Sequence, residues 1–278
     1  MDHIKLYNDT ALECSKLITK RYSTSFSLGI KTLDPKLHLP IYAIYGFVRY
    51  ADEIVDTFHE HDKKRHLEQF KKDTYKAIED KVSFNPVLHS FQLVVNQYSI
   101  DHELIEAFLV SMEMDLYKQD YTTEGYKKYI YGSAEVVGLM CLYVFCNGNQ
   151  KQYDELLPAA KALGSAFQKV NFLRDMKSDF EDRGRVYFPG VDFKNFSQAD
   201  RAAIEKDIQL DFDNAYQGIM KLPVSARAGV YLAYIYYLRL FDKIKSTPTA
   251  KILNERIRIP DAKKAILLFS TYLKFRLG

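Results

Sequence analysis

The chain has 278 residues, 47% hydrophobic and 27% charged, a balance that fills a sizeable core and suits one large domain spanning 1–278. A net charge of +3 is too small to argue for a nucleic-acid partner, and three cysteines (Cys14, Cys141, Cys146) without a CxxC pair speak against a disulfide framework and suit a reducing cytosol. The opening MDHIKLYNDT holds no apolar signal core, and the longest apolar run, Val136 to Cys146, is far short of the ~20 residues that span a bilayer, so a cytoplasmic protein, soluble or peripheral at a membrane, is expected.

Apolar residues recur at helical spacing through segments near 3–20, 36–57, 62–79, 84–97, 101–118, 123–147, 152–182, 197–221, 224–244 and 260–275, while few stretches alternate with period two. The expected fold class is all-α. After the first segment, Ser23-Thr24-Ser25-Phe26 groups hydroxyls that either cap a helix or donate to phosphate oxygens. Pro35 and Pro40 bracket the start of the next, Asn85-Pro86 opens a short helix, Asn147-Gly148-Asn149 closes one, and Pro223 and Pro260 open others. Within YIYGSAEVVG, from Tyr129 to Gly138, small residues let another helix or a ligand chain come close. In EDRGRVYFP, Gly184 fits a helix C-cap, and Arg183 and Arg185 fit either the negative end of the helix dipole or a phosphate. The tail KKAILLFSTYLKFRLG is basic and apolar together, reading as a docked terminal helix with membrane-surface contact as the lesser alternative. Rings are abundant, 21 Tyr and 18 Phe; core filling accounts for most, and the surplus would suit a cavity that tolerates a cationic hydrocarbon.

Two of these segments carry the same polar pattern. Tyr45, Arg49, Asp52 and Asp56 stand at offsets of +4, +7 and +11; Gln168, Asn171, Asp175 and Asp179 stand at +3, +7 and +11. Each set keeps near one line along an α-helix, presenting two aspartates one turn apart among aliphatic and aromatic neighbours. A single such pair is most often a solvated face. Two of them in apolar sequence point inward, where carboxylates are costly unless neutralised. Facing stripes of oxygen donors, with no His or Cys nearby, favour Mg²⁺ (with Mn²⁺ as an alternative) and a polyphosphate over zinc or iron. All seven histidines lie at or before His102, and none sits in a Glu-x-x-His pair, which disfavours a di-iron bundle.

With YSTSFS, YGFVRYADEIVD, YIYGSAEVVG and QKVNFLRDMKSDFEDRGRVYFP in order, and a weaker segment holding Tyr237 and Asn254-Glu255-Arg256, the chain resembles the squalene/phytoene synthase family over nearly its whole length. That resemblance implies an isoprenoid-synthase helical bundle with a central cavity, which joins two prenyl diphosphates head to head. Asp52, Asp56, Asp175 and Asp179, with Asn171, would hold Mg²⁺ against the diphosphates. Ser23, Ser25, Arg49, Gln168, Asn171, Tyr237 and Arg256 would bind diphosphate, and Tyr45 and Tyr129 would lie near the reacting carbons. Phe26, Ile30, Val137 and Gly138 would line the pocket. Ser23, Phe26 and Ile30 fall at i, i+3 and i+7, so a helix there sets the hydroxyl at the mouth and the apolar groups deeper. The resemblance suggests that a bulky aromatic near Ile30 shortens the tunnel to thirty-carbon products; isoleucine leaves room for two geranylgeranyl chains and a phytoene product. Tyr42 is the counter-argument, since an inward tyrosine would restore the plug. The alternatives are a dehydrosqualene or squalene synthase using farnesyl diphosphate, and a non-catalytic helical assembly factor. No dinucleotide fingerprint is present, and no nicotinamide is expected.

Overall fold

Helix starts fall where a side chain replaces the missing backbone partner. Asp2, Ser23, Asp34, Asp62, Asn85, Asp101, Thr122 and Ser197 each accept a first-turn amide, and Ser197 and Asp200 form a reciprocal capping box. The computed structural model describes residues 2–117, 121–181, 187–191 and 195–259, apart from the side chains at 178, 180 and 181, and among these residues there is no strand. The helices are α1 (His3–Tyr22), α2 (Thr24–Lys31), α3 (Pro35–Asp56), α4 (Lys63–Asp80), α5 (Pro86–Tyr98), α6 (His102–Met114), α7 (Thr123–Ile130), α8 (Val136–Cys146), α9 (Gln150–Glu181), α10 (Gln198–Ile219), α11 (Val224–Lys245) and α12 (Thr249–Ile252). A π-helical turn, Tyr131–Glu135, joins α7 to α8 without a break.

The all-α expectation holds, with local corrections. The segment holding Phe26 and Ile30 forms its own helix, α2, capped by Ser23 in line with one of the two readings of the hydroxyls, and α12 is a short helix not expected. The helix expected over 101–118 stops at Met114, where Asp115 caps it. Pro40 lies inside α3, in line with the segment expected at 36–57; lacking an N–H, it leaves the Lys36 carbonyl without its helical donor. By length and composition the run Thr123–Cys146 could cross a membrane, contrary to the expectation that no segment qualifies. Here its apolar residues Val136, Leu139, Met140, Leu142 and Val144 are buried in the core, which accounts for their character. Residues 182–186, with Arg183, Gly184 and Arg185, and the helix expected at 260–275 lie outside the described residues.

Two apolar clusters fix the helices that matter for function, and partly buried Val230 packs against both. In the first, Phe47 of α3 stacks on Phe91 at 3.9 Å and meets Phe70 and Phe108 at 5.5 and 5.4 Å, so α3 is gripped by α4, α5 and α6. On the other flank of α3, a side chain at Gly46 would come within 2.6 Å of Ser15 Oγ; glycine lets α1 approach that closely. Ser90 donates to Val87 O, so the 2.7 Å contact between the two hydroxyls is a donation from Ser15 to Ser90. In the second cluster, α9 lies along α10. Buried Lys169 reaches Asp207 and Asp211, and Ser165 adds a 2.8 Å bond to Asp211. Arg201 is buried with all its donor groups engaged: on Glu205, on the carbonyls of Ile244, Lys245 and Thr247, and on the Thr249 hydroxyl. It therefore caps the C-terminus of α11, where a cation also suits the dipole.

His89 of α5 is buried, 3% exposed, and its tautomer follows from its partners. The Ser83 amide donates to Nδ1 at 3.2 Å, which leaves the proton on Nε2, donated to Asn8 at 2.8 Å. Burial lowers its pKa from the ordinary value near 6.5. The unfolded chain therefore takes up a proton at a higher pH than the folded one, and this contribution to stability is lost as pH falls below about 6.5. Thermal melts from pH 8 to 5 should show wild type losing more stability than His89→Gln over that range. Parallel curves would remove His89 from the acid response.

Candidate active site

Both polar stripes sit where the packing of their helices aims them. On α3, Tyr42, Gly46 and Phe47 are committed to the core, which turns Ile41, Tyr45 and Val48 toward a cavity between α2, α3, the π turn and α8 to α11. On α9, Ser165 and Lys169 are committed to α10, which leaves Leu163, Gly164, Phe167 and Gln168 on the cavity side. The cavity measures about 280 Å³, and its walls are aliphatic and aromatic except at Tyr45, Gln168, Ser133 and Cys141. Tyr45 and Gln168 are the first members of the two stripes.

Phe26, Ile30, Val137 and Gly138 all line this cavity. Phe26 stacks on Tyr45 at 4.9 Å, and Ser23, which caps α2, lies close enough to the Tyr45 hydroxyl to bear on its proton affinity. Ser25 is half-buried in the first turn of α2. Tyr42 is buried but does not line the cavity; the charged groups bearing on its hydroxyl are Lys16 and Glu13 of α1. It is no plug. The glycines of YIYGSAEVVG divide between the two roles anticipated for them. A side chain at Gly132 would strike Ala107 O of α6 at 2.4 Å, whereas Gly138 faces the cavity, and a side chain there would stand 3.3 Å from Ala160 O. Ser133 Oγ is buried at the cavity without a hydrogen-bond partner among the described residues. It lies in the π turn, where the carbonyl four residues back no longer stands in helical register.

The first stripe continues into Arg49, which bonds Glu53, approaches Asp52 at 3.9 Å and packs over the Tyr22 ring at 4.4 Å. Its Nε is buried without a partner among the described residues. Asp52 keeps 33% of its side-chain surface accessible. Burial nevertheless pushes its carboxyl up to about 7, opposed by Arg49 and reinforced by Asp56, Asp115 and Glu53. Along the second stripe, Asn171 accepts from the Tyr237 hydroxyl at 3.3 Å, and Asp175 is held by Arg174 and, at 2.8 Å, by Arg256 Nε. Asp179 is buried, 5% exposed. Tyr237 stacks on Phe167 at 4.0 Å and is close enough to Tyr45 to act on it electrostatically, so it bridges the two stripes. Burial raises both phenols above 10, which keeps them neutral O–H donors at physiological pH. Tyr129, 4% exposed, packs near Tyr121, Phe172 and Tyr187, and its hydroxyl lies 3.0 Å from each Asp115 oxygen.

Three of these groups escape the stripe pattern. Arg174 neighbours Asp175 directly in sequence, a spacing that does not share a helix face; its long side chain curls round to reach. Glu53 is one residue beyond Asp52 and is reached by Arg49 at i+4. Asp115 belongs to no stripe and comes near only because α6 packs beside α3 and the π turn.

The donors fit an oxygen-loving divalent cation. The carboxylates are set among apolar residues, one has its proton affinity raised by burial and by like charges, and Arg49 presents an orphaned buried donor. Among the described residues, no three His, Cys, Asp or Glu side chains converge into a ready metal cage. Mg²⁺ characteristically takes only one or two carboxylates and completes its shell with phosphate oxygens and water.

Comparison with known proteins adds an independent line. Residues 19–263 match the family described as Squalene/phytoene synthase. The chain is 28% identical over 303 aligned positions to the 15-cis-phytoene synthase of Synechocystis sp., covering 96% of this chain and 86% of that protein. It is 28% identical over 196 positions to the 4,4'-diapophytoene synthase of Staphylococcus haemolyticus, covering 68% of this chain and 66% of that one. Its fold matches the crystal structure of a dehydrosqualene synthase in complex with a ligand, with a TM-score of 0.82 at 22% identity, over 96% of this chain and 98% of that one.

In chelator, Asp52 gives the site a measurable signature. Its folded-state carboxyl titrates at about 7, against about 3.9 when unfolded. Between those values the folded chain holds the extra proton, so this residue's contribution to stability falls as pH rises toward 7 and stays low above it. Asp52→Asn should therefore raise Tm at pH 8, by roughly 2–4 °C if relief is worth about 1 kcal/mol, and gain little at pH 4.5. Equal shifts at both pH values would show that Asp52 is not the strained group.

Proposed function

The chain belongs to the squalene/phytoene synthase family of prenyltransferases, and on that premise we propose that it condenses two geranylgeranyl diphosphates head to head, through cyclopropyl prephytoene diphosphate, to phytoene. Two diphosphates and two protons are released, one proton as the cyclopropane closes and one as the central double bond of phytoene forms, and the product class belongs to carotenoid biosynthesis. The observation that carries this reading is the cavity: an apolar chamber into which each aspartate-bearing stripe places its first residue. Prenyl tails fit the chamber, and diphosphates fit the polar faces beyond it.

Asp52, Asp56, Asn171, Asp175 and Asp179 would hold Mg²⁺, or Mn²⁺ in its place. Such an ion, when bound, neutralises charge building on a departing diphosphate. Arg49, Arg174 and Arg256 already stand against these carboxylates and would share themselves with phosphate oxygens, the bidentate partner that guanidinium suits. Tyr237, Ser23 and Ser25 add neutral donors. Stabilisation aimed at charge that appears on ionisation lowers the barrier without tightening the ground state. The apolar walls keep water from the carbocations, and the rings of Tyr45 and Phe26 offer them electron-rich faces. Reduction is no part of this sequence, so no nicotinamide is required.

Chain length follows from Ile30. It lines the cavity and is 2% exposed, and Tyr42, the aromatic group weighed as a substitute plug, faces α1 instead. Each buried CH₂ is worth about 0.8 kcal/mol, so a chamber with room for five more carbons favours the longer chain strongly. A second reading, condensation of two farnesyl diphosphates to a thirty-carbon product, is favoured by the similarity to a 4,4'-diapophytoene synthase. The four aspartates stand against a non-catalytic assembly role.

Incubation with each labelled diphosphate and Mg²⁺, followed by hydrocarbon analysis, tests the proposal. Turnover of farnesyl but not geranylgeranyl diphosphate would refute the product and leave the chemistry. Asp52→Asn and Asp175→Asn should each cut turnover by at least ~100-fold, the scale of several kcal/mol of lost charge stabilisation. Near wild-type rates in saturating Mg²⁺ would sink the assignment of the stripes. Ile30→Phe should shift preference toward farnesyl diphosphate and a thirty-carbon product; an unchanged ratio would mark Ile30 as ordinary wall.

A further inference from the structure

Asp115 is set where elementary electrostatics disfavours an acid. It caps the C-terminus of α6, the negative end of the helix dipole, and is 8% exposed. Asparagine would cap the helix and accept a hydroxyl without carrying a charge into that position. The carboxylate turns both oxygens to the Tyr129 hydroxyl at 3.0 Å. Tyr129 comes four residues before cavity-lining Ser133, and Asp115 is close enough to Asp52 to raise its proton affinity. The pair therefore stands beside the first stripe, about one helical turn before the chamber wall at Ser133, without itself lining the chamber.

Resting on the reading above, we propose that Asp115 is a positioning residue that acts through Tyr129. By taking the hydroxyl hydrogen onto a carboxylate, it fixes the orientation of the phenol and prevents it from donating into the site. A hydrogen bond to a charged acceptor also loads electron density onto the phenol oxygen and ring, so Tyr129 presents its lone pair and ring face to the cations formed as diphosphate departs. Neighbouring Phe172 and Tyr187, stacked on each other at 3.9 Å, hold the Tyr129 ring in place.

A double-mutant cycle with Tyr129→Phe separates this role from a structural one. Asp115→Asn should lower kcat by about 10- to 100-fold, the worth of one hydrogen bond to a charged group, with KM changed less than about twofold. In the Tyr129→Phe background the same substitution should cost less than about twofold. Losses that multiply would show Asp115 acting on something other than Tyr129 and overturn the inference. Where Asp115→Asn does not fold, Asp115→Glu, which keeps the charge and displaces it, runs the same cycle under the same criterion. The second readout needs no turnover. In protein labelled with 3-fluorotyrosine, the ¹⁹F resonance missing from Tyr129→Phe should shift in the Asp115 variant. An unmoved resonance overturns the inference whatever the enzyme makes. Wild type that turns over neither diphosphate overturns the functional reading instead, together with the role given to the pair, while a shifted resonance would still establish the contact.

Discussion

Carboxylates at the edge of an apolar chamber carry a solvation cost that a hydrocarbon wall cannot offset, and much of this structure answers that constraint. Arg174 and Arg256 close on Asp175, Arg49 closes on Glu53 and approaches Asp52, and Tyr129 donates to Asp115. The compensation is incomplete at Asp52, where burial and like charges still dominate over Arg49. A site left in that condition suits the cation, and the anion accompanying it, that the proposed function assigns to it. On the proposed reading the arginines would serve both states, a guanidinium satisfied by a carboxylate in one turning to phosphate in the other.

Holding such groups in register requires rigid helices, and the rigidity comes from behind the site. Phe47 anchors α3 among three phenylalanines, while Lys169 and its two aspartates anchor α9 on α10. Each site helix is thus two-sided, one face committed to packing and the other to chemistry. The chamber exists because small residues let the surrounding helices approach. A side chain at Gly229 would meet Leu33 at 2.4 Å, and one at Gly164 would meet the Ala134 carbonyl at 2.8 Å. Close backbone contact at these points leaves the neighbouring side chains free to define a tunnel of set bore.

Helix placement and the two stripes were legible in the chain because both depend on local arithmetic. Apolar residues at a period of 3.6 commit one face of each segment to a core, and polar residues at +3, +4, +7 and +11 then share another. Pro35, Asn85-Pro86 and Asn147-Gly148 mark boundaries by φ restriction and side-chain capping, which are also local. Where local rules allowed two readings, the structure chose one: the hydroxyl of Ser23 caps α2, and Pro40 is carried inside α3, within the segment expected at 36–57.

By itself, the sequence determined an all-α chain, two inward acidic stripes and a pocket face at Phe26 and Ile30, since helical periodicity decides which residues share a side. Tertiary structure alone decided that Tyr42 turns to α1, that Tyr237 spans from Asn171 toward Tyr45, and that Asp115 of one helix end meets Tyr129 of another. These contacts join helices whose relative rotation is set by the interlocking of whole surfaces. No periodicity along one segment encodes the angle at which a second segment packs against it.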